Sequence, residues 1–218
     1  MAASHPMQVP APELHPDVER FAVWLAGSAD GGARLVEQAR PSGDVPSQLR
    51  ALLRTLPRDA TRTDLDAVLR VDPTTVMDLQ HPLIRGEPRR LYVLQRQLQR
   101  TCLAATLGRL ARDRRAAFIL VDLLGYSKEA AAAILQRTAS AVDVLVCRAR
   151  RELDNYLGPR CEHVDPENPC HCVNRLPSAV DRGFVAWPAR NDLPDDGPLQ
   201  ARRYSDASAL YASLTPPG

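Results

Sequence analysis

Between Cys161 and Cys172 the chain places three cysteines and two histidines within twelve residues: Cys161, His163, Cys170, His171 and Cys172. Thiolate and imidazole together suit Zn²⁺, and a structural zinc site closes with four such ligands. The proline-rich stretch Val164 to Pro169 reads as a loop that turns Cys161 back toward the Cys170-x-Cys172 pair. The sequence therefore predicts a structural zinc site held by Cys161, His163, Cys170 and Cys172. His171 and Cys147 rival His163 for the fourth place, and a reduced, metal-free tail is the bland alternative. A saturated site has no open position for catalysis, and the chain carries neither a glycine-rich phosphate loop nor a nucleophile motif. No enzyme is expected. Oxidation of the thiols would eject such a metal.

The segment before this cluster reads as helices separated by short breaks. The first spans Arg112 to Leu124 and stops at Gly125-Tyr126. Ser127 then caps a short helix from Lys128 to Leu135. Gln136 to Ala139 make a turn, and Ser140 caps a longer helix reaching Leu157. Short helix, tight turn and longer helix is the pattern of a helix-turn-helix. Val142, Val146, Ala149, Leu153 and Leu157 recur at spacings of three and four, which is one helical face. An ordinary helical bundle would show the same spacing.

In a helix-turn-helix the longer helix reads the major groove with Arg, Lys, Asn or Gln near its start. Here the early outward positions are Ser140, Ala141, Asp143, Val144 and Cys147, and no basic residue stands between Thr138 and Cys147. Asp143 would repel phosphates, and Val144 offers only methyl contacts. Arg137, Arg148 and Arg151 remain to hold the backbone. The expected DNA-contacting set is therefore Arg137, Ser140, Asp143, Val144, Arg148 and Arg151, with weak and poorly specific binding. The competing expectation is that the strip from Val144 to Cys147 packs on protein.

The whole chain has 218 residues and a net charge of +2, so total charge does not argue for nucleic acid. Residues 85–115 nevertheless carry nine arginines and two acids. Residues 1–16 read as a disordered leader and 17–86 as a helical region. Helices are predicted over Asp17 to Ala26, Ala33 to Arg40, 47–56 and 62–70, with Gly27 to Gly32 as a break. Pro88 opens a long helix to about Ala111, in which Cys102 is a small core residue. The helix-turn-helix occupies 87–157, the Cys/His extension 158–176 and an irregular tail 177–218. In that tail Asp206 to Leu214 suits one short helix, with Trp187 and Phe184 as anchors. The expected fold class is all-α. No basic-then-apolar leader and no membrane-length apolar run is present, so a cytoplasmic protein without a membrane partner is expected. The odd count of five cysteines argues against a disulfide framework.

Leu107 to Leu110, Arg115, Phe118, Leu120, Gly125-Tyr126-Ser127, Ala131, Ile134-Leu135, Val142 and Arg148-Ala149-Arg150 resemble the fourth conserved region of bacterial sigma factors. The similarity is to the extracytoplasmic-function type. The string Cys161…Asp165-Pro166-Glu167-Asn168-Pro169-Cys170-His171-Cys172 resembles a C-terminal extension found in some of them. The resemblance implies a domain that reads the upstream promoter element and touches the flap of RNA polymerase. It implies core RNA polymerase and promoter DNA as partners, with an anti-sigma or other regulatory protein beside them. Leu25 to Asp30 followed by Leu35 to Ala39 resembles the second sigma region faintly, with Ala33 and Arg34 where that family carries an acidic pair. Family members continue with an aromatic-rich, basic helix that melts the promoter, because flipped bases need stacking platforms. Pro41 to Pro88 contains no Phe, Tyr or Trp. The functional expectation is a sigma-like regulator that binds polymerase and, weakly, promoter DNA. The alternatives are a sigma-fold interaction protein that does not recognise promoters, and a DNA-binding regulator unrelated to polymerase.

Overall fold

The computed structural model describes residues 14–57, 88–186 and 204–214. The helix predicted over 62–70 and the anchor Trp187 lie outside the described residues.

Three short helices open the described chain: α1 (Pro16–Ala26), α2 (Ala29–Ala39) and α3 (Val45–Thr55). Ser28 caps α2 and Asp44 caps α3, each accepting a backbone N–H three residues on. The break expected through Gly32 is shorter than the sequence suggests, because Gly31 and Gly32 lie inside α2. The reason is tertiary. A Cβ on Gly32 would stand 2.9 Å from the backbone of Val23, so glycine is what lets α1 and α2 pack this closely. Gly27, at φ +87°, makes the turn between them.

The long helix α4 (Pro88–Leu107) ends earlier than the predicted Ala111, in a turn closed by Gly108, Arg109 and Leu110. The helix expected to run unbroken from Arg112 to Leu124 is α-helical only as α5 (Arg112–Phe118). It widens into a π turn over Ile119–Leu123, where Leu124 N–H donates to Ile119 C=O at 2.9 Å. Next come α6 (Lys128–Leu135) and α7 (Ala139–Leu157), then α8 (Cys172–Asp181) and α9 (Ala207–Ala212). Among the described residues all regular structure is helical, apart from one isolated backbone bridge between Cys161 and Cys170. No single helix among them is long and apolar enough to cross a membrane.

One core joins α1–α3 to α4–α7 and α9. Its largest fully buried side chains are Trp24, Tyr211, Phe21 and Phe118. Tyr211 comes from α9, at the far end of the chain. Its ring meets Phe118 and Trp24 edge-on at 5.4 and 6.2 Å, and its hydroxyl donates to Leu103 C=O at 2.7 Å. The short helix predicted in the tail therefore closes the core. Phe184, expected as an anchor, is exposed. A second apolar cluster of Leu94, Leu98, Leu176, Ala179 and Val185 packs α4 on α8, with Cys172 against it.

Arg115 ties these parts together. Buried at 5% exposure, its guanidinium donates to the carbonyls of Leu25 (2.9 Å), Gly108 (3.0 Å) and Leu110 (3.3 Å). It thus satisfies the ends of α1 and of the turn after α4, which would otherwise leave acceptors without partners.

Candidate nucleic-acid interface and metal centre

The α6–α7 pair bends by 98° at its break, within the range of a helix-turn-helix. Ser127 caps α6, its hydroxyl accepting Ala130 N–H at 3.1 Å. Gln136 ends α6 in the left-handed conformation, at φ +54°. The cap of α7 is Thr138 rather than Ser140: its hydroxyl accepts Ala141 N–H at 3.1 Å. Thr138 is the first hydroxyl reached after the turn with an extended backbone, so the helix starts there. Val142, Val146, Ala149, Leu153 and Leu157 are all buried, as their spacing predicted.

The arginines of this region divide by face. Arg150 grips Asp122 with two bonds, at 2.6 and 3.2 Å, and Arg114 pairs with Glu152, so both fasten α7 to the helix before α6. Arg137 donates to Asp113 at 2.9 Å and is half-exposed. Arg148 and Arg151 are exposed and have no hydrogen bond or ion pair among the described residues. They share one stripe of α7 with Ser140, Val144 and Cys147, all exposed, Val144 at 45%. Asp143 is not a bare negative charge. It pairs with Lys128 across the break, and the hydrogen bond to Asp143 holds that ammonium above the usual lysine range.

Behind α7 the extension folds back on itself. Glu162 N–H donates to Cys170 C=O at 3.2 Å and Cys170 N–H to Arg160 C=O at 2.9 Å, which brings the two segments side by side. Asn168 pins the proline-rich loop, donating to the carbonyls of Gly158 (2.6 Å) and Cys161 (3.0 Å). Cys172 Sγ lies 3.4 Å from His163 Nε2. Ligand atoms of Glu162, His163 and Cys172 all lie within 4.8 Å of one another. Glu162 was missed by the sequence reading, yet its oxygens are already engaged by Cys172 N–H (2.6 Å) and His171 Nδ1 (2.9 Å). It caps the start of α8 and holds the His171 ring in place. Burial lowers the His163 pKa, keeping its imidazole neutral with a lone pair to give. Burial also pushes the Cys161 thiol up to about 11 and raises Cys172 well above the ordinary thiol range. A metal would take these groups as thiolates and release their protons.

The family model described as Sigma-70, region 4 matches residues 100–153, which span the end of α4 through α7. That stretch of the chain is thus similar to the fourth region of sigma factors. The chain is also 29% identical over 153 residues to a protein of Rhodopseudomonas palustris (strain TIE-1) described as the ECF RNA polymerase sigma factor EcfG. That similarity covers 65% of this chain and 80% of the relative. No solved structure matches the chain.

Within region 4 the predicted contact residues fall into two groups. Ser140, Val144, Arg148 and Arg151 share the outward stripe, while Arg137 and Asp143 are engaged in ion pairs beside it. Of the predicted metal set, the ligand atoms of His163 and Cys172 are brought together, whereas Cys161 and Cys170 meet through their backbones and their thiols are not part of that ligand group among the described residues. The two rivals stand elsewhere: His171 is turned to Glu162, and Cys147 is exposed on α7 with Lys128 and Arg150 as its charged neighbours. Cys102, read as a core filler, is half-buried and faces the extension. Burial first, then the nearby Cys170 and Cys161, raise its thiol pKa. The five cysteines are free thiols.

Proposed function

We propose that this chain is a sigma-factor-like transcription regulator that docks on core RNA polymerase and holds promoter DNA weakly through α7. The observation that carries this reading is the region 4 match over two helices crossing at 98°. Their outward stripe leaves Arg148 and Arg151 free of protein partners among the described residues. In this reading Arg148 and Arg151 hold backbone phosphates, Arg137 adds a third cation, and Ser140 and Val144 lie over base edges. Asp143 is kept from repelling the duplex by Lys128. The regulator is not an enzyme. Zn²⁺ at Cys161, His163, Cys170 and Cys172 fastens the extension, a donor set suited to that ion. An anti-sigma or other regulatory protein is its further partner.

A second reading, a sigma-fold interaction protein without promoter recognition, is favoured by the exposed Val144 on a helix start that lacks base-reading donors. Run-off transcription with purified core polymerase separates the two. A transcript supports the sigma reading. Binding to core without a transcript supports the interaction protein. Duplex binding without any affinity for core supports a regulator unrelated to polymerase and contradicts both.

A further inference from the structure

A groove of about 250 Å³ lies where α3 meets the start of α5 and the α6–α7 turn. Four arginines line it: Arg50 and Arg54 from α3, Arg112 from α5 and Arg137 from the turn. The one carboxylate there among the described residues is Asp113, and both its oxygens are taken. Oδ1 accepts from Arg112 Nε and Nη2 at 3.2 and 3.1 Å, and Oδ2 from Arg137 at 2.9 Å. The other guanidinium bonds go to neutral acceptors. Arg50 donates to Ala133 C=O (3.3 Å) and Ser47 Oγ (2.9 Å), and Arg112 to Leu56 C=O (3.3 Å). Arg54 is exposed and has no hydrogen bond or ion pair among the described residues. Among the described residues, one carboxylate among four guanidiniums leaves three positive charges unbalanced around the groove.

Like charges held this close call for an anion. The matching chemistry is a phosphoryl group, whose several oxygens accept from guanidinium forks arriving from different directions. We propose that Arg50, Arg54, Arg112 and Arg137 form a composite phosphoryl-binding pocket, assembled only when α3 is packed against region 4. The phosphoryl group belongs either to a nucleic-acid backbone beside the stripe of α7 or to a free phosphorylated small molecule. The first source rests on the DNA-binding reading above, and the second does not. Region 4 by itself supplies half of the cations, so α3 extends the cationic surface beyond the helix-turn-helix.

The test uses the full chain and two exposed-arginine variants, Arg54→Gln and Arg34→Gln, the latter away from the pocket. Neither side chain has a partner to lose among the described residues, so melting temperatures should match the parent. Each protein is titrated with a labelled duplex over a salt series, and separately with inorganic pyrophosphate by calorimetry. Loss of one phosphate contact lowers the salt slope by about one and weakens all duplexes alike. That result for Arg54→Gln, but not Arg34→Gln, supports the backbone source. Unchanged duplex binding with pyrophosphate affinity lost in Arg54→Gln alone supports the small-molecule source. If Arg54→Gln matches the parent with both probes, the pocket is overturned. Should the parent bind no duplex, the DNA reading fails, and pyrophosphate alone then decides for or against the pocket.

Discussion

Replacing Tyr211 with alanine asks whether the far end of the chain completes the core. The side chain is fully buried, lies edge-on to Phe118 and Trp24, and donates to Leu103 C=O at 2.7 Å. Truncating a buried aromatic to alanine costs about 3–5 kcal/mol. Losing two edge-to-face pairs and a buried hydrogen bond places Tyr211→Ala toward the top of that range, about 4–5 kcal/mol. Domains have about 5–15 kcal/mol in total, so most of the margin would go. Tyr211→Phe removes only the hydroxyl and should cost about 1 kcal/mol. Urea unfolding followed by tryptophan emission is the assay, since Trp24 touches the ring. With a slope of about 2 kcal/mol per molar, the alanine variant should unfold about 2 M earlier. A shift under about 0.5 M would refute the reasoning, because it would mean that α9 is not part of the cooperative core.

Other expectations follow from the same geometry. Arg148→Ala and Arg151→Ala should each weaken every duplex alike and lower the salt slope by about one, whereas Val144→Ala should leave the slope unchanged; fluorescence anisotropy over a salt series reads both. Purified protein should carry about one equivalent of zinc, lost in Cys172→Ser and kept in Cys147→Ser, as metal analysis would show. Peroxide should release that zinc in step with thiol loss, and full retention of metal by oxidised protein would count against a thiolate site. Burial raises the Tyr211 pKa well above 10. The unfolded chain therefore ionises this group first, so stability is full below about pH 10 and falls as pH rises further. Tyr211→Phe should flatten that alkaline loss in urea midpoints measured against pH.

The helix-turn-helix was legible because its signals are local. Ser127 caps where a serine before an apolar run should cap, and the Val142 to Leu157 stripe is buried as its spacing implies. What escaped depended on partners distant in sequence. Gly31 and Gly32 read as a break because nothing local announces that Val23 will press against them. Thr138 and Ser140 are equally good caps by type, and only the backbone at the turn chose between them. The pairing of Asp143 with Lys128 crosses a break, where helical spacing offers no guide. Glu162 received no role from the sequence, since its role depends on α8 starting at Cys172. Arg115 carried a family pattern without a reason. The reason is a set of three carbonyls from two separate chain segments. Tyr211 could be placed on a short helix, but not against Trp24 and Phe118.

The region-4-like module is braced rather than free. Helices α1 and α3 lie against it on one side and α9 plugs another, so its outward stripe is held by the whole core. On the proposed reading, this scaffold docks onto a large partner, with DNA as a weaker second contact. The most direct test is sedimentation of the labelled full chain with purified core RNA polymerase. Co-sedimentation with saturable, one-to-one stoichiometry is the predicted result. A folded chain that sediments alone at micromolar core polymerase would contradict the account.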